Sequence, residues 1–360
     1  MLRELSRVGR VAFLAAFGLS AAVLVMEHLL HVHGTPLFLV SAGGILALAY
    51  CVGLATERIG ALTGPQVGGI LNATFGNVAE LIIAFFALKA GMLEVVKASI
   101  TGSIIGNLLL VFGASLVVGG LRHGTQRFSQ REAALDGKLL LLAVISLFVP
   151  AVFAATDHSS DTGAGRLAES TFVAAVLIVL YFLALLYRFR NPDKVLGGKH
   201  PEEHAGPAWP ARVAVGVLLA SAVLLALLSE TLVASIEPFI TAFHLTPFFV
   251  GVILIPTIGN LAEHMVAVQL AARNHMDFAL AVTTGSSLQI ALFVAPVLVL
   301  LGRMLGQPMD LVFAPLEIAA VSVTAFLAAF IIEDGESNWL EGALLLGVYL
   351  ILGVSFFYLQ

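Results

Sequence analysis

Charge is what this sequence has least of. Asp, Glu, Lys and Arg supply 11% of its 360 residues, and 59% are apolar. Soluble domains carry about 25% charged residues. Too few charged side chains are present to keep a fold of this size in water, which excludes an ordinary cytosolic enzyme, a disordered chain and a coiled coil. Cysteine is scarcer still. Cys51 stands alone in an apolar run, so it forms no internal disulfide and does not indicate redox chemistry. A strong charge of one sign is also missing, and a net charge of −5 offers nothing to nucleic acid.

What the sequence has instead is apolar runs of bilayer length. At about 20 residues per crossing, eleven spans are expected near ~11–30, ~36–59, ~65–89, ~92–119, ~133–155, ~167–189, ~211–234, ~246–272, ~277–301, ~311–332 and ~339–358. Arg3, Arg7 and Arg10 precede the first run in the manner of a signal peptide, but no small-residue cleavage site follows, and a retained span is expected. The longest polar stretch, Arg190 to Pro210, holds Pro192, Gly197, Gly198, Pro201, Gly206 and Pro207 and reads as a linker between halves. Lys and Arg favour cytoplasmic loops. With the N-terminus inside, 14 of them fall on the cytoplasmic side and 4 outside. The expected orientation is therefore N-terminus in, C-terminus out, linker cytoplasmic.

A repeat runs through the chain. Gly76-Asn77-Val78-Ala79-Glu80 in the third span returns as Gly259-Asn260-Leu261-Ala262-Glu263 in the eighth, 183 residues later. The same offset carries Thr101-Gly102-Ser103 onto Thr284-Gly285-Ser286. Each repeat holds five spans, an odd number, so the two must cross the bilayer in opposite directions, as in many secondary transporters. The fold expected is an all-α integral membrane protein of about 11 transmembrane helices: a leading helix (1–35), a five-helix repeat (36–190), a cytoplasmic linker (191–210) and an inverted-topology repeat (211–360).

Glu80 and Glu263 lie about half-way along their spans. An ionised carboxylate there costs on the order of 2.5–3.5 kcal/mol even on lenient scales, so it faces a cavity, pairs with a cation or holds a proton. No Lys or Arg lies near either in its span, which leaves a dissolved cation or a proton as the partner. The competing reading is a pair of protonated carboxyls bridging helices, less weighty for two repeat-related residues than for one. Gly76 and Gly259 free the backbone to leave helical geometry. Asn77 and Asn260 can bond groups that a break leaves open. Pro256 adds a breaking signal to the later copy that Ala73 does not add to the earlier one. Broken helices at the midplane expose carbonyl oxygens that ligate cations; close helix packing is the plainer use of such glycines.

Ser103, Asn107, Ser286, Ser287 and Gln289 form matching polar patches in the fourth and ninth spans, suited to a hard cation and equally to interhelical hydrogen bonds. Asn72, Thr74 and Thr257 flank the motifs with less weight. The donors are oxygens, which suit Ca²⁺, Mg²⁺ or Mn²⁺. Two carboxylates neutralise one divalent ion. When it leaves, the like charges repel, and protons are the natural replacement. One site thus takes either a divalent cation or protons.

Glu57 and Glu230, near span ends, read equally as a gate or proton path and as interfacial acids. Glu27 with His28, His31 and His33, then Asp157, His158 and Asp161, then Glu333, Asp334 and Glu336, read as solvated loops before they read as metal or steering sites. An intramembrane hydrolase lacks its pattern, since Val268 stands where a His-Glu-x-x-His helix would need its counterpart to His264.

Gly-Asn-x-Ala-Glu in the third span and Gly-Asn-x-Ala-Glu-His in the eighth resemble the paired signature motifs of the Ca²⁺/H⁺ exchanger (CAX) family of the cation/Ca²⁺ exchanger superfamily. The likeness extends over nearly the whole chain. It implies Ca²⁺ extrusion driven by proton entry, with Glu80 and Glu263 binding Ca²⁺ and protons alternately. Backbone oxygens of both motifs and neighbouring polar side chains would help, and His264 would serve as a proton relay or a partner of Glu263. Sodium/calcium exchangers usually carry Pro-Glu or Pro-Asp there; Ala79-Glu80 and Ala262-Glu263 favour protons over Na⁺. The linker acids are only Asp193, Glu202 and Glu203, with His200 and His204, so a strong acidic regulatory helix is not expected. The resemblance implies a non-enzymatic transporter in a bacterial or archaeal plasma membrane, with Ca²⁺ and H⁺ as transported ions, the bilayer as surroundings and no covalent cofactor. Self-association stays open. The rival readings are a Na⁺-coupled exchanger and a passive divalent-cation channel.

Overall fold

The computed structural model describes residues 5, 7–64, 71, 74–156, 162–191 and 209–358. Asn72, the outer-loop residues Asp157, His158 and Asp161, and linker residues 192–208 lie outside that set. The described chain is helical almost throughout: α1 (Arg7–His28), α2 (Thr35–Thr63), α3 (Val78–Lys89), α4 (Leu93–His123), α5 (Gln130–Thr156), α6 (Thr162–Arg190), α7 (Ala211–Ala234), the short α8 (Ile236–Phe243), α9 (Pro247–Ala272), α10 (Met276–Met304), α11 (Pro315–Ile331) and α12 (Trp339–Tyr358). Nine of these are long and apolar enough to cross a membrane, and α11 is a shorter apolar helix. α3 occupies the later part of the third expected span.

Packing follows the repeat. α2 lies on α7, and α5 on α11, so each pair joins equivalent helices of the two halves. The other contacts come in twofold-related pairs: α2 with α9 and α3 with α7, α4 with α12 and α10 with α6, α10 with α5 and α4 with α11. The leading helix α1 packs mainly on α2. Central and peripheral helices separate by burial. α4 and α10 have 72% of their most apolar window buried, whereas α6 and α12 have 17% and turn apolar side chains outward, as lipid-facing helices do. The most enclosed helices are thus the ones that carry the serine and asparagine patches.

Two short strands tie the halves at one end of the bundle. β1 (Gln126–Arg127), after α4, pairs antiparallel with β2 (Glu336–Ser337), after α11. Arg127 also meets Glu336 at 3.5 Å, and Asp334 accepts from the Glu336 amide, so these acids belong to a built loop. At the other end, Glu27 accepts from the Thr231 hydroxyl at 2.7 Å and fastens α1 to α7.

The helix break expected at both Gly-Asn pairs occurs in one copy. Gly76-Asn77 forms a turn, and α3 starts anew at Val78. Gly259-Asn260 instead lies inside continuous helix. There the irregularity sits upstream, in a π-helical turn over Val250–Leu254. Pro256 cannot donate to a carbonyl one turn back and its ring crowds that turn, so the wider winding before it absorbs the fault and the helix proceeds regularly. Two more π turns, Gly106–Val111 in α4 and Ile290–Val294 in α10, occupy repeat-equivalent places.

Candidate functional site

The two motifs meet at the centre of the bundle, each in contact with the other's half. Glu80, in the first turn of α3, is buried with its carboxyl against the backbone of Gly259 in α9. A Cβ on Gly259 would stand 3.0 Å from the Glu80 Cγ, Cδ and Oε1. The glycine of one motif is therefore the space that the glutamate of the other occupies. Neither Glu80 oxygen has a hydrogen bond of good geometry from the described residues; its own backbone amide and the Asn260 amide are the nearest donors. The Asn260 amide lies beside it, and Glu263 is within electrostatic reach. Glu263 is half-buried, next to Ser286. A buried carboxylate with so few donors is costly, and two that share a site call for a cation or a proton between them.

Around the acids runs a cross-half network of neutral groups. The Ser286 hydroxyl donates to Asn77 Oδ1 at 2.7 Å and accepts from Asn107 Nδ2 at 3.0 Å. Asn260 Nδ2 approaches Ser103 Oγ at 3.4 Å. All five side chains are buried. Asn260 Oδ1 has no donor among the described residues. Ser287 donates to the Thr283 carbonyl at 2.9 Å, keeping its lone pairs available. Gln289 is buried just before the π turn of α10. His264 is buried with Nε2 unpartnered among the described residues; one residue past Glu263, it projects about 100° round the helix.

Close backbone approach makes this arrangement possible. A Cβ on Gly102 would overlap the Val252 carbonyl in the π turn of α9, so only glycine lets α4 seat there. In the first copy Gly102 thus sets a packing contact beside Ser103, whereas Gly285 of the second copy meets no neighbour among the described residues.

The other expected residues have different surroundings. Glu57 is exposed on α2. Glu230 is exposed on α7 and pairs with Lys89 at 3.2 Å, at the end of α3. Thr257 donates to the Ile253 carbonyl at 2.6 Å. Thr74 is exposed. Among the described residues, no three His, Cys, Asp or Glu converge as metal ligands. The cluster therefore holds two carboxylates among side-chain amides and hydroxyls.

Two buried acids escape the sequence pattern, Asp136 on α5 and Glu317 on α11. They lie near span ends, where an acid is ordinary. Their separation of 181 residues, close to the repeat offset of 183, is the signal that marks them.

Comparison with known proteins places this geometry. The family model described as sodium/calcium exchanger protein matches residues 33–190 and 213–358, the two halves without the leading helix and linker. The chain is 44% identical to a Ca²⁺/H⁺ antiporter of Aphanothece halophytica, covering 93% of this chain and 94% of the relative. It is 41% identical to the Ca²⁺/H⁺ antiporter ChaA of Bacillus subtilis (strain 168), covering 93% and 95%. The structure of native YfkE superposes with a TM-score of 0.84 at 37% identity, over 97% of this chain and 100% of that one. The chain belongs to the sodium/calcium exchanger protein family, in its Ca²⁺/H⁺ exchanger (CAX) branch.

Proposed function

We infer that this protein is a secondary antiporter that exchanges Ca²⁺ for protons by alternating access. The observation that carries the reading is the meeting of Glu80 and Glu263 from inverted halves, with Glu80 buried, close to the Asn260 amide and pressed against the other motif, and with no basic side chain beside it among the described residues. A divalent cation satisfies both carboxylates at once, and protons satisfy them when it leaves. Asn77, Asn260, Ser103, Asn107, Ser286, Ser287 and Gln289, with backbone oxygens at the Gly76-Asn77 turn, complete or orient the ligand set, while Gly259 makes room for Glu80. His264 lies close enough in sequence to exchange a proton with the site. Antiporter relatives of similar length support the choice of ions. The bias of Lys and Arg supports an N-terminus and a β1–β2 end in the cytoplasm.

Reconstituted protein should drive ⁴⁵Ca²⁺ uphill when given only a pH gradient. A Na⁺ gradient that drives Ca²⁺ while ΔpH does not would reverse the choice of coupling ion. Dissipation of the Ca²⁺ gradient with no uphill movement would make it a channel.

A further inference from the structure

Asp136 and Glu317 are 5% and 4% exposed, and the site just described uses neither. Each reaches across to the opposite half. The Thr284 hydroxyl on α10 donates to Asp136 Oδ2 at 2.7 Å. The Thr101 hydroxyl on α4 lies 3.0 Å from Glu317 Oε1 and 3.0 Å from the Ala98 carbonyl of its own helix, and its single proton goes to the carboxylate, the stronger acceptor. The two threonines are the first residues of the repeated Thr-Gly-Ser motif. Charges complete each acid differently. Asp136 forms an ion pair with Arg188 of α6. Glu317 accepts the Ala314 amide at its own helix start, at 2.8 Å, with Lys97 and Glu94 as charged neighbours.

The serine two residues after each threonine holds a motif asparagine: Ser286 donates to Asn77, and Ser103 lies against Asn260. At 3.6 residues per turn, positions two apart project about 200° from each other. The threonine therefore faces the scaffold helices α5 and α11 while the serine faces the site. Apolar packing would seat these helices but tolerate rotation about their axes. A carboxylate–hydroxyl bond is directional and fixes that rotation. We propose that Asp136 and Glu317 are repeat-related positioning residues, each pinning a threonine of the opposite half so that the following serine holds its motif asparagine in cation-binding geometry. This rests on the antiport reading.

The test is the Ca²⁺ dependence of ΔpH-driven uptake by the full-length protein in liposomes. Thr284→Val and Thr101→Val remove a hydroxyl at constant shape and leave both acids with their other partners. Each should raise the half-saturating Ca²⁺ concentration about 3–10-fold, the worth of one net hydrogen bond, with maximal rate changed less than about twofold. Thr284→Ser and Thr101→Ser should restore it. Valine variants with unchanged half-saturation would overturn the proposal. So would serine variants as impaired as valine ones, or a lower maximal rate at unchanged half-saturation. Valine variants that yield no monodisperse protein would assign the hydroxyls to folding instead and equally overturn it. A wild-type protein inert to Ca²⁺ under ΔpH would sink the antiport reading, an outcome distinct from all of these.

Discussion

Gly259 gives the sharpest single perturbation. An added Cβ would stand 3.0 Å from Cγ, Cδ and Oε1 of Glu80. Carbon atoms pack best at about 3.5–4.0 Å, so the Gly259→Ala methyl must drive that carboxyl back by roughly 0.5–1 Å. Ca²⁺ binds oxygen at about 2.3–2.6 Å, and a retreat of that size takes the oxygen out of coordinating range or forces the opposing helices apart. Overpacking of this kind costs about 1–3 kcal/mol. Taken from the ion-bound state, it raises the half-saturating Ca²⁺ concentration about 5–150-fold. The assay is ⁴⁵Ca²⁺ uptake under a fixed pH gradient, with Ca²⁺ varied and the amount of monodisperse protein matched. Gly216→Ala, on an exposed stretch of α7 with no neighbour of the added carbon among the described residues, is the control and should match wild type. A Gly259→Ala protein with wild-type half-saturation would refute the claim that Glu80 binds the ion from the position found here.

Three further outcomes are expected. Glu80→Gln and Glu263→Gln should each abolish gradient-driven Ca²⁺ uptake while leaving a folded protein; full transport by either would end the two-carboxylate mechanism. Gly102→Ala should fail to yield stable monodisperse protein, because its Cβ would overlap the Val252 backbone carbonyl, which has no flexible end to move; size-exclusion chromatography in detergent checks this. Lowering pH equally on both sides should raise the Ca²⁺ concentration needed for half-maximal binding, since protons and Ca²⁺ compete for the same carboxylates. Equilibrium ⁴⁵Ca²⁺ binding that does not change between pH 6 and pH 8 would contradict a shared site.

The sequence by itself determined the class, the architecture and the two central residues. Bilayer length is a one-dimensional property, so helices such as α7 and α12 fall where the apolar runs end. The odd number of spans per repeat dictates inversion without any coordinates. Glu80 and Glu263 stand out because a carboxylate in mid-span is expensive wherever the chain goes next. The tertiary structure decided the rest, because it concerns pairs of residues far apart in the chain. Glu80 lies against Gly259, Ser286 bridges Asn77 and Asn107, and Gly102 meets the Val252 carbonyl only after the halves interlock. The same holds for Asp136 and Glu317. Near a span end an acid carries no cost that marks it, and only the folded bundle buries it against a threonine of the other half. Even the form of the helix break was a tertiary matter: two Gly-Asn pairs read alike, yet Pro256 moved one irregularity upstream into a π turn, where α4 packs on it.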